Sequence, residues 1–247
     1  MTYPQNSADK MKILAVADVH YPRFEKKFRL ALENHQTPDL LLLAGDMVNR
    51  GEADAYPELL DIIQDRLGTG FPIVACFGNE EYAEVRPKIT SLVKERVTIL
   101  DEKFIVLVID GIKIGIVGTQ GSLDKPTSWQ RSNIPGIKEE FARRAVRASG
   151  LLQKVSEISD KRILLMHHAP CTETCEGEDI RSFAWLGSRK FYSVIKSEQP
   201  DLVIHGHVHN STTHEAKVGA TLVRNVALPA VGDLTKLVLW NKPIRDL

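Results

Sequence analysis

The chain reads as an α/β protein, and three features of the sequence predict it. Through its first hundred residues, short apolar runs alternate with stretches of helical periodicity, the pattern of parallel strands joined by crossover helices. Three strand-like runs then follow in close succession, which reads as antiparallel pairing. Apolar runs also break off repeatedly into Asp, Asn or His, where a strand should leave the edge of a sheet.

The elements follow in order. Met1–Lys10 is polar and reads as a disordered tail, without the apolar core of a signal peptide. Met11–Ala17 should be a central strand; it ends in Asp18-Val19-His20. Phe24, Phe28, Ala31, Leu32 and His35 share one helical face. Asp39–Ala44, with four consecutive leucines, is a buried strand that stops at Gly45-Asp46. Ala53–Leu67 is helical, with Leu59, Ile62, Ile63 and Leu67 on one side. Pro72–Phe77 is a strand ending in Gly78-Asn79-Glu80-Glu81, and Glu84–Glu95 fits a helix. Val97–Leu100, Phe104–Ile109 and Lys113–Gly118 are the clustered strands, the last two joined by Asp110-Gly111, a strong hairpin signal.

Thr119–Pro135 reads as a long polar loop, a length often used for lids. Phe141, Ala145, Ala148, Leu152 and Val155 mark one face of a helix over Gly136–Ser159, with Arg143, Arg144 and Arg147 on a solvated basic face. Arg162–Met166 is a strand ending in His167-His168-Ala169-Pro170. Ser188 reads as the N-cap of a helix over Arg189–Ser197. Asp201–Ile204 is a strand that gives way to His205-Gly206-His207-Val208-His209, and Ala220–Arg224 and Lys236–Trp240 are late strands.

Bulk properties narrow the function. With 247 residues, 43% of them hydrophobic, the chain can bury a substantial core. It contains no internal repeat or linker-like stretch, so residues 11–247 are expected to form a single domain. Lys+Arg and Asp+Glu both number 32, a formal net charge of zero, which argues against broad nucleic-acid binding. The three cysteines are too few and too scattered for a disulfide framework. No apolar run approaches the ~20 residues of a membrane span. The chain is therefore expected to be a cytoplasmic protein without a membrane partner; nothing in it fixes an oligomeric state.

The strand endings carry the chemistry: Asp18 and His20; Asp46; Asn79; His167 or His168; His205, His207 and His209. Ligands of open α/β sheets bind at the C-terminal ends of strands. Three alternating imidazoles around a glycine are hard to explain as packing, whereas histidine is a common metal ligand. Carboxylate and imidazole without thiolate suit manganese, iron, zinc or nickel. The donors outnumber what one ion needs, and facing carboxylates repel unless cations lie between them. A pair of divalent ions about 3.5–4 Å apart would solve both problems and draw water's pKa from about 15.7 towards about 7. With two aspartates and a bridging hydroxide such a site keeps a charge of about +1, which attracts a phosphoester.

The ordered set Asp18-x-His20, Gly45-Asp46, Gly78-Asn79, a strand-end histidine and Gly206-His207-x-His209 resembles the calcineurin-like metallophosphoesterase family over residues 12–210. The resemblance implies a four-layer α/β/β/α sandwich with two mixed sheets. It also implies a binuclear phosphoesterase that cleaves phosphomono- or phosphodiesters by in-line attack of a bridging hydroxide. Asp18, His20 and His209 would hold one metal, and Asn79, His167 and His207 the other. Asp46 would bridge them. The family's proline spacing favours His167 over His168, with His205 a strand-end neighbour. Manganese is the expected ion, with iron, zinc or nickel as alternatives, and the expected partner is a small phosphoester, nucleotides first.

One position departs from the family. Its motif usually continues Gly-Asn-His, and here the histidine is Glu80. Asp46, Asn79, Glu80 and His168 are then the candidate catalytic residues, with His168 a substitute proton donor that Glu80 could orient. Without the family's acid, esters with basic leaving groups should turn over slowly and activated aryl phosphates faster. Two other readings are a catalytically weak interaction scaffold on the same fold, for which Glu80 is the best argument, and a nuclease, against which the neutral charge counts. Cys171, Cys175 and His214 are candidates for an accessory metal or redox site, against the simpler reading of loop thiols. Arg181, Trp185 and Arg189 are candidates to reach a phosphate or base, and Trp129 and Asn133 to close on substrate.

Overall fold

Alternation inside the strands decides the architecture. In β1 (Lys10–Val16), Ile13 and Ala15 point one way and Leu14 and Val16 the other, and all four are buried. A strand buried on both faces needs a layer on each side. The same holds for β2 (Leu40–Ala44), with every residue buried.

The computed structural model describes residues 10–240. Along the chain follow β3 (Ile73–Cys76), β4 (Thr98–Ile99), β5 (Lys103–Ile109), β6 (Ile112–Thr119) and β7 (Lys161–Met166). Then come β8 (Leu202–His205), β9 (Glu215–Val218), β10 (Thr221–Asn225) and β11 (Thr235–Trp240). They form two mixed sheets, ordered β11-β1-β2-β3-β4 and β5-β6-β7-β8-β10-β9. In the first, β11 runs antiparallel to β1 and the others are parallel. In the second, the edge strands β5 and β9 are antiparallel to their neighbours.

The helices cover the outer faces. Helices α1 (Glu25–Glu33), α2 (Ala55–Leu67) and α3 (Arg86–Val93) set Phe28, Leu32, Leu59 and Ile89 against Leu14, Val16, Leu41 and Leu43 of the first sheet. On the second sheet, α5 (Ile137–Ser156) and α6 (Arg189–Glu198) set Leu152, Val155, Phe191 and Ile195 against Val117, Leu164 and Val203. Between the sheets, Ile13, Ala15, Leu40 and Leu42 meet Ile114, Ile116, Ile163 and Leu165. These three cores give the four expected layers.

Several elements differ from expectation. β4 does not join the clustered antiparallel strands: it pairs in parallel with β3, Val74 opposite Thr98, and closes the first sheet. Only β5 and β6 form the hairpin, and Asp110 (φ 50°) and Gly111 (φ 80°) take the left-handed conformations such a tight turn requires. The loop over Thr119–Pro135 contains a short helix, α4 (Ser128–Asn133). Its capping box explains it: Thr127 Oγ1 accepts from Gln130 N–H and the Gln130 side chain accepts from Thr127 N–H. β9 and the four-residue α7 (Leu228–Val231) are additions. Ser188 caps α6 as expected, accepting from Lys190 N–H at 3.2 Å. The tail over residues 1–9 lies outside the described residues, and Lys10 opens β1.

Leu42 is fully buried between the sheets. Leu42→Ala should cost about 2–5 kcal/mol in urea unfolding, by lost transfer energy plus the cavity left behind, whereas Leu30→Ala, at an exposed position, should change stability by less than about 0.5 kcal/mol.

Candidate active site

Five parallel strands, β1, β2, β3, β7 and β8, lead into Asp18, Asp46, Asn79, His167 and His207 at one edge of the sandwich. The loops cross-brace one another. Asp18 N–H donates to Gly45 O and His20 N–H to Asp46 O, each at 3.0 Å, and Gly206 N–H donates to His167 O at 3.0 Å. Asp18 Oδ2 accepts His207 N–H at 2.8 Å, joining the loop after β1 of one sheet to the loop after β8 of the other.

The turns that aim these side chains are strained. Asp18, His20, Asp46 and His207 have φ of 58°, 45°, 51° and 69°, in the left-handed region. For non-glycine residues that conformation costs on the order of 1–2 kcal/mol each, and Asp and His tolerate it better than most. Two glycines answer to close approach instead: a Cβ on Gly78 would run into the Asp46 carboxylate, and one on Gly206 into that of Asp18.

All seven residues expected to hold metal come together. Asp18, His20 and His209 offer ligand atoms within 4.8 Å of one another, as do Asp18, Asp46 and His167. A third group of the same size contains His167, His207 and His168, so His168 stands among the donors as well. His209 Nε2 is 2.8 Å from Asp18 Oδ1. Asp46 Oδ2 lies 3.4 Å from His167 Nε2 and 4.0 Å from His20 Nε2, facing members of both halves. Asn79 Oδ1 accepts from His167 Nε2 at 3.0 Å, and Ala44 O accepts from Nδ1 of the same ring at 3.0 Å.

The electrostatics are those of buried opposite charges. Burial opposes the charge on Asp18, but hydrogen bonds from His20 and His209 hold its carboxyl well below the usual range. Burial likewise works against Asp46, and the His167 charge lowers it. His167 would lose its proton through burial, yet Asp46 and Asp18 raise it to about 10. Desolvation, with the charge of His167, pushes His207 down to about 4. Burial and the neighbouring imidazoles hold His168 well below its ordinary value.

Glu80 and Glu81 divide two tasks. Glu80 Oε2 lies 3.2 Å from His20 Nδ1 and accepts Arg50 N–H at 2.8 Å; its own N–H donates to Asp46 Oδ1 at 2.7 Å. It faces His20, not His168. Glu81 is 1% exposed and takes the N–H groups of Gly78 and Asp46 on Oε2 and those of Met47 and Val48 on Oε1. Burial and Asp46 raise its carboxyl to about 7 against those donors. Sequence reasoning missed this clamp between the β2 and β3 loops; its only signal was a second acid after Asn79.

The lesser candidates separate. Trp185 lies beside the site, its carbonyl accepting from His207 Nε2 at 3.3 Å. Arg181 is paired with Asp179 on the surface and Arg189 with Asp124. Asn133 donates to Trp129 O within α4. Cys171 and Cys175 are free thiols, raised by burial, and join no metal-binding group among the described residues. His214 is bonded to Ser211 O. His205 is buried, held by Gly206 O and Thr174 Oγ1. Of the basic face on α5, Arg143 pairs with Glu140 and Arg147 with Glu102, but Arg144 turns inward and donates to Gln120 Oε1 and Gly121 O at 2.9 and 3.1 Å. A cavity of about 740 Å³ opens beside Asn79, His168 and His207.

Glu81→Gln places an amide N–H against backbone donors. It should lower stability by about 1–3 kcal/mol in urea unfolding of the metal-free protein, while Glu84→Gln on the surface stays within about 0.5 kcal/mol of wild type. Wild-type stability in Glu81→Gln would remove the clamp from this account.

Comparison with known proteins agrees with this geometry. The calcineurin-like phosphoesterase model matches residues 11–211. The chain is 30% identical over 149 residues to the Escherichia coli protein named phosphodiesterase YaeI, covering 56% of this chain and 54% of that protein. Over 61 residues it is 43% identical to a probable cyclic nucleotide phosphodiesterase of Moraxella catarrhalis, covering 25% of this chain and 20% of that one. The chain thus spans about half of the first relative's length and a fifth of the second's. Phosphopantetheinyl hydrolase of Mycobacterium tuberculosis superposes with a TM-score of 0.65 at 14% identity, covering 93% and 96% of the two chains. A purple acid phosphatase from yellow lupin superposes at 0.53 and 15% identity over 99% of this chain and 47% of that one. At such identities these two likenesses speak to the fold alone. With the profile spanning most of its length and the donor set in register, the chain belongs to the calcineurin-like phosphoesterase family, metal-dependent hydrolases of phosphoester bonds.

Proposed function

We propose that this protein is a binuclear metal-dependent phosphodiesterase acting on a small phosphoester, with nucleotides the first class to try. The observation that carries the proposal is Asp46: one buried carboxylate oxygen faces His20 and His167, members of two separate donor groups. A carboxylate shared by two ions would need such a position. The names of the curated relatives, a phosphodiesterase and a probable cyclic nucleotide phosphodiesterase, support a diester.

The residues present suit metal. His20 Nε2 and His168 Nδ1 are buried without a hydrogen-bond partner; the first faces the carboxylates of Asp18 and Asp46 and the second stands among imidazoles, and such unpartnered buried nitrogens suit a cation site. The donor set suits manganese, with iron, zinc or nickel as alternatives. When bound, two divalent ions make hydroxide available near neutral pH and offset charge on the phosphoryl oxygens.

The chain's own residues do the rest. Asp18, His20 and His209 form one half of the site and Asn79, His167 and His207 the other, with Asp46 between. Glu80 holds His20 Nδ1, so that Nε2 of the same ring turns inward; such carboxylate–histidine pairs fix ring orientation and raise ligand basicity. In this reading the carboxylate replacing the family's histidine is a positioning residue, which answers the scaffold alternative. His168, kept neutral by its neighbours, serves as an imidazole donor beside the second half rather than as a proton source. With no general acid in place, turnover favours substrates whose leaving group needs no proton. The three thiols are free, which fits action in the reducing cytoplasm.

Loading metal-free protein with Mn²⁺ should bind about two ions per chain and give hydrolysis of bis(p-nitrophenyl) phosphate. Asp46→Asn should abolish both the second ion and the activity. Glu80→Gln should weaken metal binding about 10- to 100-fold, read by calorimetry. Wild-type metal content and no hydrolysis of any phosphoester would contradict the enzyme reading. Because His167 keeps its proton up to about 10 in the absence of metal and must ligate as the neutral ring, loading at pH 8 should release a proton. Affinity for Mn²⁺ should accordingly fall as pH is lowered; a pH-independent affinity would contradict protonated His167.

A further inference from the structure

The cavity of about 740 Å³ has a wall unlike the rest of the surface. It is lined by Asn79, His168 and His207 together with Tyr82, Trp129, Ile134 and Trp185. Those four side chains are 40%, 66%, 36% and 38% exposed. Large half-exposed apolar groups ringing a single opening mark a ligand surface rather than scattered exposure. Its volume lies in the range of small-molecule sites.

The wall is also built apart from the three main cores. Leu123, Ile137 and Phe141 form their own small cluster and line the same cavity. α4 has no buried residue, and Trp129 on it is 66% exposed. The capping box starts α4, and the apolar cluster at Leu123 and Ile137 lies on either side of it in the chain. A tryptophan held on so small a platform, over a cavity that ends at the candidate ligands, has no packing role to explain it. Arg144 lines the same cavity, fixed by Gln120 and Gly121.

We infer that this wall is a specificity subsite for a planar aromatic group attached to the phosphoester. This rests on the phosphoesterase reading above and deepens it by naming the substrate class. The occupant follows from connectivity: a phosphate seated among Asp46, Asn79 and His207 can send only its organic substituent into this cavity. Trp129, 66% exposed, is the aromatic side chain open to stacking, whereas the Trp185 ring already has Lys125 Nζ over it at 5.6 Å; stacking on such a face tolerates any flat ring, nucleobase or aryl. Arg144 supplies positive charge to the cavity that Asn79 and His207 also line.

The test compares two diesters with the same leaving group, bis(p-nitrophenyl) phosphate and methyl p-nitrophenyl phosphate, and a 2′,3′-cyclic purine nucleotide as the nucleobase arm. In the Mn²⁺-loaded enzyme, Trp129→Ala should lower the ratio of kcat/KM for the aryl over the methyl ester by about tenfold, through KM, and Trp129→Phe should restore most of it. A matching loss on the cyclic nucleotide identifies the base as the natural occupant, and a loss on the aryl ester alone identifies a non-nucleotide aryl ester. Equal effects on the aryl and methyl esters would overturn the subsite. Binding is read separately in chelator: 1-naphthyl phosphate should quench tryptophan fluorescence of the wild type, with affinity about tenfold lower in Trp129→Ala. Absence of hydrolysis with normal quenching would sink the enzyme reading and leave the subsite standing; absence of quenching would sink the subsite.

Discussion

The Asp18 carboxylate is the tie on which the site depends. It is fully buried, one oxygen on the His207 N–H and the other on the His209 ring, while its backbone N–H reaches Gly45. Through one side chain, loops that follow strands of both sheets are held at a common point. An isolated carboxylate so placed would cost several kcal/mol. Here imidazoles offset it, and a divalent cation would offset it better, because the same oxygens then face a fixed double charge. The hydrogen-bonded imidazoles and carboxylates thus partly neutralise one another at this point.

Around that tie the molecule divides labour between rigid and strained parts. The strands are packed on both faces, and their ends have no freedom to drift. The turns beyond them accept left-handed backbone at Asp18, His20, Asp46 and His207, a cost carried by the surrounding hydrogen bonds. Glu81 is the clearest example: one carboxylate collects four backbone donors from two loops and thereby sets the spacing between Asp46 and Asn79. By contrast α4 has no buried residue and stands outside the three cores, so the specificity subsite inferred there would be free to vary without disturbing them.

Much of this was legible in the residues. Apolar runs gave the central strands, because a strand buried on both faces reads as continuous hydrophobicity, and the Asp, Asn and His that terminate them named the ligand set. Gly78 and Gly206 mattered for closeness to carboxylates, which a motif alone does not express. Other parts could not be read in advance. β4 is two residues long, and its partner is decided by the crossover through α3 rather than by its own composition. α4 was hidden in a polar loop, although Thr127 and Gln130 spell a capping box. The partner of Glu80 was open between His168 and another group until the fold brought His20, sixty residues away, to it. Arg144 looked like one of several solvated arginines, and only the path of Thr119–Gly121 past α5 turns it inward. The aromatic wall is assembled from separate segments and leaves no local pattern.

The central claim is that two cations share Asp46. Anomalous diffraction from crystals of the Mn²⁺-loaded protein tests it most directly. The account predicts two peaks about 3.5–4 Å apart, one beside Asp18, His20 and His209, the other beside Asn79, His167 and His207, with the Asp46 carboxylate between them. A single peak, or peaks away from Asp46, would contradict it.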